Sequence, residues 1–91
     1  MLRLVWNANA RRDVRQILRY IGERNSDAAD RIGALFERAA EMLPAHPYMY
    51  RPGRVPGTRE AVVHPNYILI YRVHTDRVSV IAVIHARQQY P

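Results

Sequence analysis

Cysteine is absent from this 91-residue chain, so neither a disulfide framework nor a thiolate metal site is available to it. Lysine is absent as well: all 14 basic residues are arginine, set against 8 acidic ones for a formal net charge of +6. No apolar run approaches the ~18 residues that a membrane-spanning helix needs. The opening Met1-Leu-Arg-Leu-Val lacks the apolar stretch and small-residue cleavage site of a signal peptide. There is no phosphate-cradling glycine motif and no Ser/His/Asp pattern of a hydrolase. The four histidines, at 46, 64, 74 and 85, are scattered without metal-ligand spacing. These absences predict a cytoplasmic protein with no membrane partner, no metal and no cofactor.

What is present points to one domain, residues 1–91. A chain of this length buries roughly 60–65% of its unfolded surface, and 48% hydrophobic residues supply a thin but real core. The positive excess calls for an anionic partner, a nucleic acid or an acidic protein. Arginine, with its planar fork of donors, suits phosphate and carboxylate alike. A GC-rich genome would also exchange lysine for arginine, but it would not create the excess of positive charge.

Leu2–Trp6 alternates as a short first strand, with Trp6 anchoring the core where strand gives way to helix. From Ala8 to about Arg24 the period becomes helical, with Ala10, Val14, Ile17, Leu18 and Ile21 on one stripe and Arg11, Arg12, Arg15 and Arg19 on the solvated side. Asn7 or Asn9 can cap that helix. Asn25 or Ser26 caps a second, whose stripe is Ala29, Ile32, Phe36, Ala39 and Leu43, and which Pro44 stops. So short a link predicts an antiparallel helical hairpin, with Gly33 permitting close approach. Residues 44–57 hold four of the six prolines and two of the four glycines, a stiffened loop in which Tyr48, Met49 and Tyr50 read as packing anchors. Thr58–His64, Tyr67–His74 and Arg77–His85 then read as strands of an antiparallel meander, turning at Pro65-Asn66 and Thr75-Asp76. Tyr67, Leu69, Tyr71 and Val73 share one face, Ile68, Ile70 and Arg72 the other. His46 reads as loop packing, His64 and His74 as solvated beside their turns.

The run Arg51-Pro-Gly-Arg-Val-Pro-Gly-Thr-Arg-Glu60, the strand Tyr67-Ile-Leu-Ile-Tyr-Arg-Val73 and the ending His85-Ala-Arg-Gln-Gln-Tyr-Pro91 resemble the RelE/ParE toxins of bacterial toxin–antitoxin modules. Trp6 and the paired helices fit the same family. The resemblance implies an α+β fold of order β-α-α-β-β-β, an antiparallel helical hairpin on a mainly antiparallel four-stranded sheet that includes the first strand. It implies a growth-inhibiting toxin, associated with plasmid stabilisation, held in a hetero-oligomer by a cognate acidic antitoxin. Two targets occur in the family: DNA gyrase, poisoned by binding, and ribosome-bound mRNA, cleaved by a metal-independent endoribonuclease (an mRNA interferase). A small basic nucleic-acid-binding domain is the alternative outside the family, although neither a reading helix nor a row of stacking aromatics is evident.

Cleavage would need a proton-transfer group and fixed cations around one phosphate. The residues of the right types are Arg59, His85, Arg87 and Tyr90, with His85 as base or acid, Arg59 and Arg87 as phosphate clamps and Tyr90 as orienting group. Arg51, Arg54, Glu60 and Arg72 are the candidate binding residues, an arginine-rich loop feeding the sheet. Each has a plainer reading, Arg59 and Glu60 as the fixings of the loop-to-strand turn and His85 as a structural or interface histidine. The sequence departs from the nuclease pattern at Ile68, which matches a position where those members carry a basic residue. Arg72, four residues on, lies ~13 Å away along a strand. The departure favours binding of a protein target over cleavage.

Overall fold

The protein, described over residues 2–88 by a computed structural model, carries the elements β1 (Arg3–Trp6), α1 (Ala8–Gly22), α2 (Ser26–Met42), β2 (Arg51–Pro52), β3 (Arg59–His64), β4 (Tyr67–Val73) and β5 (Arg77–His85). The helices begin where short polar side chains stand. Asn25 caps α2, its Oδ1 accepting the Ala28 amide at 3.0 Å, with Asp27 in the favourable first turn. Asn7 holds the cap position of α1 without a side-chain bond. Three residues join the helices, which pack antiparallel as expected. A Cβ on Gly33 would come within 3.1 Å of the Leu18 side chain, so glycine lets the pair approach this closely.

The sheet has five strands in the order β1-β5-β4-β3-β2. The meander β3-β4-β5 is antiparallel, as the turns at Pro65-Asn66 and Thr75-Asp76 dictate. The sheet exceeds the expected four strands by one, and it gives the first strand the partner that the expectation left open. β1 lies parallel to β5, Arg3 opposite Arg77 and Trp6 opposite Val80. Nothing in its own alternation names a partner 74 residues away. A fifth strand, the two residues Arg51–Pro52, pairs with Glu60 and Arg59. It is too short, exposed and proline-bearing to announce itself by pattern; its short ladder is extended by the Gly53 amide donating to the Thr58 carbonyl at 2.7 Å and reinforced by the Arg51–Glu60 pair.

The helices cover one face of the sheet. Phe36 and Ala40 of α2, Leu43 at its C-terminal cap, and Ala10 and Val14 of α1 are buried there against Leu69, Tyr71, Val78, Val80 and Val83. Phe36 is fully buried, its ring edge-on to Tyr67 at 5.8 Å. The opposite, open face carries a second small apolar cluster of Ile68, Ile70 and Ile84.

A bulge governs the far half of β5. Tyr71 pairs with Val80 but Ile70 with Ala82, leaving Ile81 as the extra residue. The helix-facing residues of β5 therefore run Val78, Val80 and then Val83, and the phase of the strand reverses. Strict alternation from Val78 and Val80 would have turned His85 to the open face. The bulge turns it to the helix side, opposite Tyr67.

Candidate functional site

Glu60 is the hub of the loop end. It sits on the open face opposite Ile70, its side chain only 3% exposed. Its Oε1 accepts the Arg51 guanidinium at 3.1 Å, and its Oε2 accepts the Arg54 amide at 3.0 Å and the Arg54 Nε at 3.3 Å. Burial, the largest single influence, pushes the carboxyl up. The Arg54 amide, then the Arg51 and Arg54 guanidinium bonds, together outweigh it and hold the carboxyl below its ordinary 4.5. Glu60 is thus an ionised clamp and a poor proton acceptor.

The turn that closes this loop needs a glycine. Gly57 has φ +84°, and a Cβ there would press on the Arg72 guanidinium at 2.6 Å. Arg72, on the open face opposite Ser79, leans against the turn and donates to the Pro56 carbonyl at 3.5 Å. Arg51, Arg54, Glu60 and Arg72, the four candidate binding residues, therefore lie together on one face. Arg59 points to the other. It lies opposite Tyr71, donates to the Tyr50 carbonyl at 2.7 Å and stands 4.9 Å from the centre of the Tyr48 ring. Beside it the buried Tyr71 hydroxyl donates to the Pro47 carbonyl at 2.7 Å. Burial pushes that hydroxyl above its usual range, against the pull of the Arg59 charge.

His85 stands at the opposite end of the sheet. Its ring meets the edge of Tyr67 at 5.6 Å, and its Nδ1 accepts the Arg87 amide at 3.1 Å. Arg87 lies in the turn beyond β5, exposed. Arg59 and His85 share the helix-side face, yet their ladder positions, Tyr71 and Tyr67, are four residues or ~13 Å apart along β4, with a further two strand spacings of ~4.8 Å across. Arg59, moreover, is bonded to a loop carbonyl. The described residues thus do not gather the candidate catalytic set around one phosphate; Tyr90 lies outside them. His85 instead lines a groove of about 870 Å³ between α1 and β5, with Arg12, Asp13, Gln16 and Tyr67.

Set beside known proteins, residues 4–90 match the family described as the ParE toxin of the parDE type II toxin–antitoxin system. The chain belongs to this family. It is 39% identical over 90 residues to the putative toxin Y4kP of Sinorhizobium fredii, covering 98% of this chain and 93% of that one. It is 33% identical over 86 residues to the toxin RelE2 of Caulobacter vibrioides, covering 94% and 97%. In fold it is similar to a chain of the chromosomal ParDE toxin–antitoxin system of P. aeruginosa, with TM-score 0.83 at 19% identity over 93% of this chain and 96% of that one. A conserved hypothetical protein of Helicobacter pylori follows at TM-score 0.63 and 16% identity, covering 99% and 100%. The protein is a toxin of the ParE/RelE type, and membership in such a system implies a cognate antitoxin as its partner.

Against this ParE-type frame, several assignments change. Tyr48 and Met49, expected to pack inward, are 66% and 53% exposed; only Tyr50 turns in, edge-on to Tyr71 at 6.4 Å. His46 is exposed, while His64 and His74 are half-buried. Arg11, exposed as expected, also pairs with Glu37 at 3.2 Å and lies over Trp6 at 4.4 Å. Sequence reasoning missed Asp13, whose Oδ2 accepts the Val83 amide at 2.9 Å where β5 runs beyond the end of β1. A lone acid on an arginine-rich helix face was the one signal available. Among the described residues no three of His, Asp and Glu gather as metal ligands, and no helix is long and apolar enough to cross a membrane.

Proposed function

We propose that this toxin arrests growth by binding a protein target, DNA gyrase, rather than by cleaving RNA, and that an acidic antitoxin silences it. The observation that supports this reading is the bulge at Ile81. It turns His85 away from the face that carries Arg51, Arg54, Glu60 and Arg72. Catalysis of phosphate cleavage needs proton transfer and charge stabilisation at one reacting group. Here the imidazole and the loop-end cations occupy different faces, Arg59 is held at the far end by Tyr50, and of the candidate catalytic cations only Arg87 stands beside the imidazole. Ile68, where cleaving relatives carry a cation, lies buried with Ile70 and Ile84.

The antitoxin fits the same picture. A +6 chain attracts an acidic disordered segment, which orders as it docks. The helical hairpin, with Arg12, Arg15 and Arg19 along the exposed side of α1, offers it apolar anchors beside cations. Co-expression with the adjacent reading frame should therefore retain an acidic partner through purification.

The target is tested by adding purified toxin to purified gyrase and measuring supercoiling, while primer extension on a translated message monitors cleavage. Loss of supercoiling with intact message is the expected result. Clean breaks within codons and unaffected gyrase would instead assign the protein to the ribosome-dependent endoribonucleases.

A further inference from the structure

The positive excess is not shared evenly between the two layers. Residues 8–43, the helical hairpin and its link, carry 7 arginines against 6 acidic residues, so that layer is nearly neutral. The rest of the chain carries the other 7 arginines against only Glu60 and Asp76. Five of the six net charges therefore belong to the sheet and its loops. Register and alternation say where these arginines stand. Leu2, Leu4, Trp6, Val78 and Val80 pack toward the helices, so Arg3 and its neighbour across the parallel pair, Arg77, turn to the open face. Arg72 is on that face too, opposite Ser79, and Arg51 and Arg54 join it through Glu60. Arg59 points to the helix side and Arg87 lies beyond β5; neither belongs to the group.

The five arginines form a band across the loop end of the open face, from β2 to β1. At ~4.8 Å per strand it spans roughly 19 Å, more than the ~12 Å between the two backbones across a major groove. Both acids of this layer lie within it. Glu60 is buried beneath Arg51 and Arg54, and exposed Asp76 takes Arg3 at 3.4 Å and Arg77 at 2.9 Å. Five cations against two carboxylates leave a net charge of +3, and surface pairs such as those at Asp76 hold little. The surroundings of the band decide its anion. Protein interfaces are built around an apolar, aromatic-rich centre, and single strands are held by stacking on aromatic rings. Trp6, Phe36, Tyr50, Tyr67 and Tyr71 belong to the helix-side core, Tyr20 stands on α1 and Tyr48 beside Arg59. Ile68, Ile70 and Ile84 of the open face are themselves buried, and among the described strand residues Val62 is the one large apolar side chain left exposed. Arginines without rings or an apolar centre suit a duplex backbone, which is bound by charge and without base contacts.

We infer that the band Arg51, Arg54, Arg72, Arg77 and Arg3 on the open face of the sheet docks on the phosphate backbone of duplex DNA. The inference rests on the gyrase reading for its setting, since gyrase holds such a duplex, but its first assay needs no gyrase.

Antitoxin-free toxin is titrated into a labelled linear duplex of mixed sequence, and anisotropy is followed as salt is raised. With about three phosphates neutralised, affinity should fall roughly 40-fold between about 50 and 200 mM salt. Arg72→Gln with Arg77→Gln should weaken binding and reduce that fall to roughly 3–4-fold. Arg3→Gln, at the far end of the band, is the independent variant and should lower the salt slope by about one phosphate's share. Arg31→Gln with Arg38→Gln removes the same charge from the exposed side of α2 and should behave as wild type. Thermal melts confirm that each variant is folded, and supercoiling by gyrase is measured with the same proteins. The Arg72/Arg77 variant should need several-fold more toxin to inhibit gyrase than the Arg31/Arg38 control. Equal losses of duplex binding in the two double variants would overturn the inference, because the charge would then act without regard to face. So would tighter binding to the single strand than to the duplex, or no duplex binding at about 50 mM salt. Loss of gyrase inhibition in the Arg72/Arg77 variant with the duplex never bound would give the face to the protein and overturn it too. Band-dependent duplex binding by a toxin inert on gyrase would uphold the docking surface and remove gyrase as the target.

Discussion

The two ends of the sheet are built on opposite plans. At the loop end, polar groups are tied to one another and to the backbone: Glu60 takes Arg51 and Arg54, Arg59 takes Tyr50, and Tyr71 takes Pro47. At the other end, His85 and His64 rest on the faces and edges of Tyr67, and each imidazole Nδ1 accepts only a nearby backbone amide. One end has cations held in fixed places; the other has a titratable ring at the surface, with the exposed Arg87 and Arg12 nearby. Chemistry on a phosphate would need both within a few ångströms. Recognition needs only the first. The difference teaches that rigidity here has been built into the arginine-rich loop end, and not around the group that could transfer a proton.

The comparison can be strained hardest from below. Phe36 is the floor beneath Tyr67 and hence beneath the His85 end. Phe36→Ala should cost about 3–5 kcal/mol by removing a fully buried ring, a large part of the ~5–15 kcal/mol that holds a domain together. Thermal melts should show a larger drop for it than for Glu60→Gln or Arg12→Ala; a melt equal to that of a surface variant would place the core elsewhere.

At the loop end the corresponding break is Glu60→Gln. It removes charge-assisted bonds worth about 1.5–3 kcal/mol in favourable settings. Because the Arg51 and Arg54 side chains are 59% and 43% exposed, solvent screening reduces the expected loss to about 1–2 kcal/mol. Limited proteolysis should cut the variant within residues 50–58 faster than wild type. Unchanged cutting would show that the loop does not depend on this carboxylate.

Acid titration sharpens the same point. The folded Glu60 carboxyl titrates below its ordinary 4.5, so the unfolded chain takes up the proton first as pH falls. The stabilisation is complete above that ordinary value and is lost as pH drops through the lowered folded one. Urea midpoints should therefore fall more steeply below about pH 4.5 for wild type than for Glu60→Gln. Parallel curves would contradict the assignment of the clamp. The smallest effect belongs to the solvated face of α1, where Arg12→Ala should change stability by no more than about 0.5 kcal/mol.

Much of this was legible from residue order alone. The stripes of α1 and α2, the Asn25 cap, the three-strand meander and the family all follow from periodicity, turn chemistry and motif. So does the grouping of Arg51, Arg54 and Glu60, because they are close in sequence and separated by a turn that Gly57 makes possible. What stayed hidden depended on distant partners. β1 finds β5 by closing the sheet edge, and its own four residues carry no address. The Ile81 bulge was invisible because Ile81, Val83 and Ile84 are all apolar, so neither phase of the strand leaves a polar residue in the wrong place. That single extra residue decides which face His85 occupies, and with it the placing of the candidate catalytic set.

The most direct test is therefore His85→Ala, assayed as the amount of antitoxin-free toxin needed to arrest growth, with primer extension on a translated message from the same cells. A toxin that works by binding should keep its potency within roughly threefold, an interface-sized effect, and the message should remain uncut for wild type and variant alike. Codon-internal cleavage by the wild type, reduced on the order of 10²–10⁴-fold by the substitution as expected for a proton-transfer group, would contradict the account.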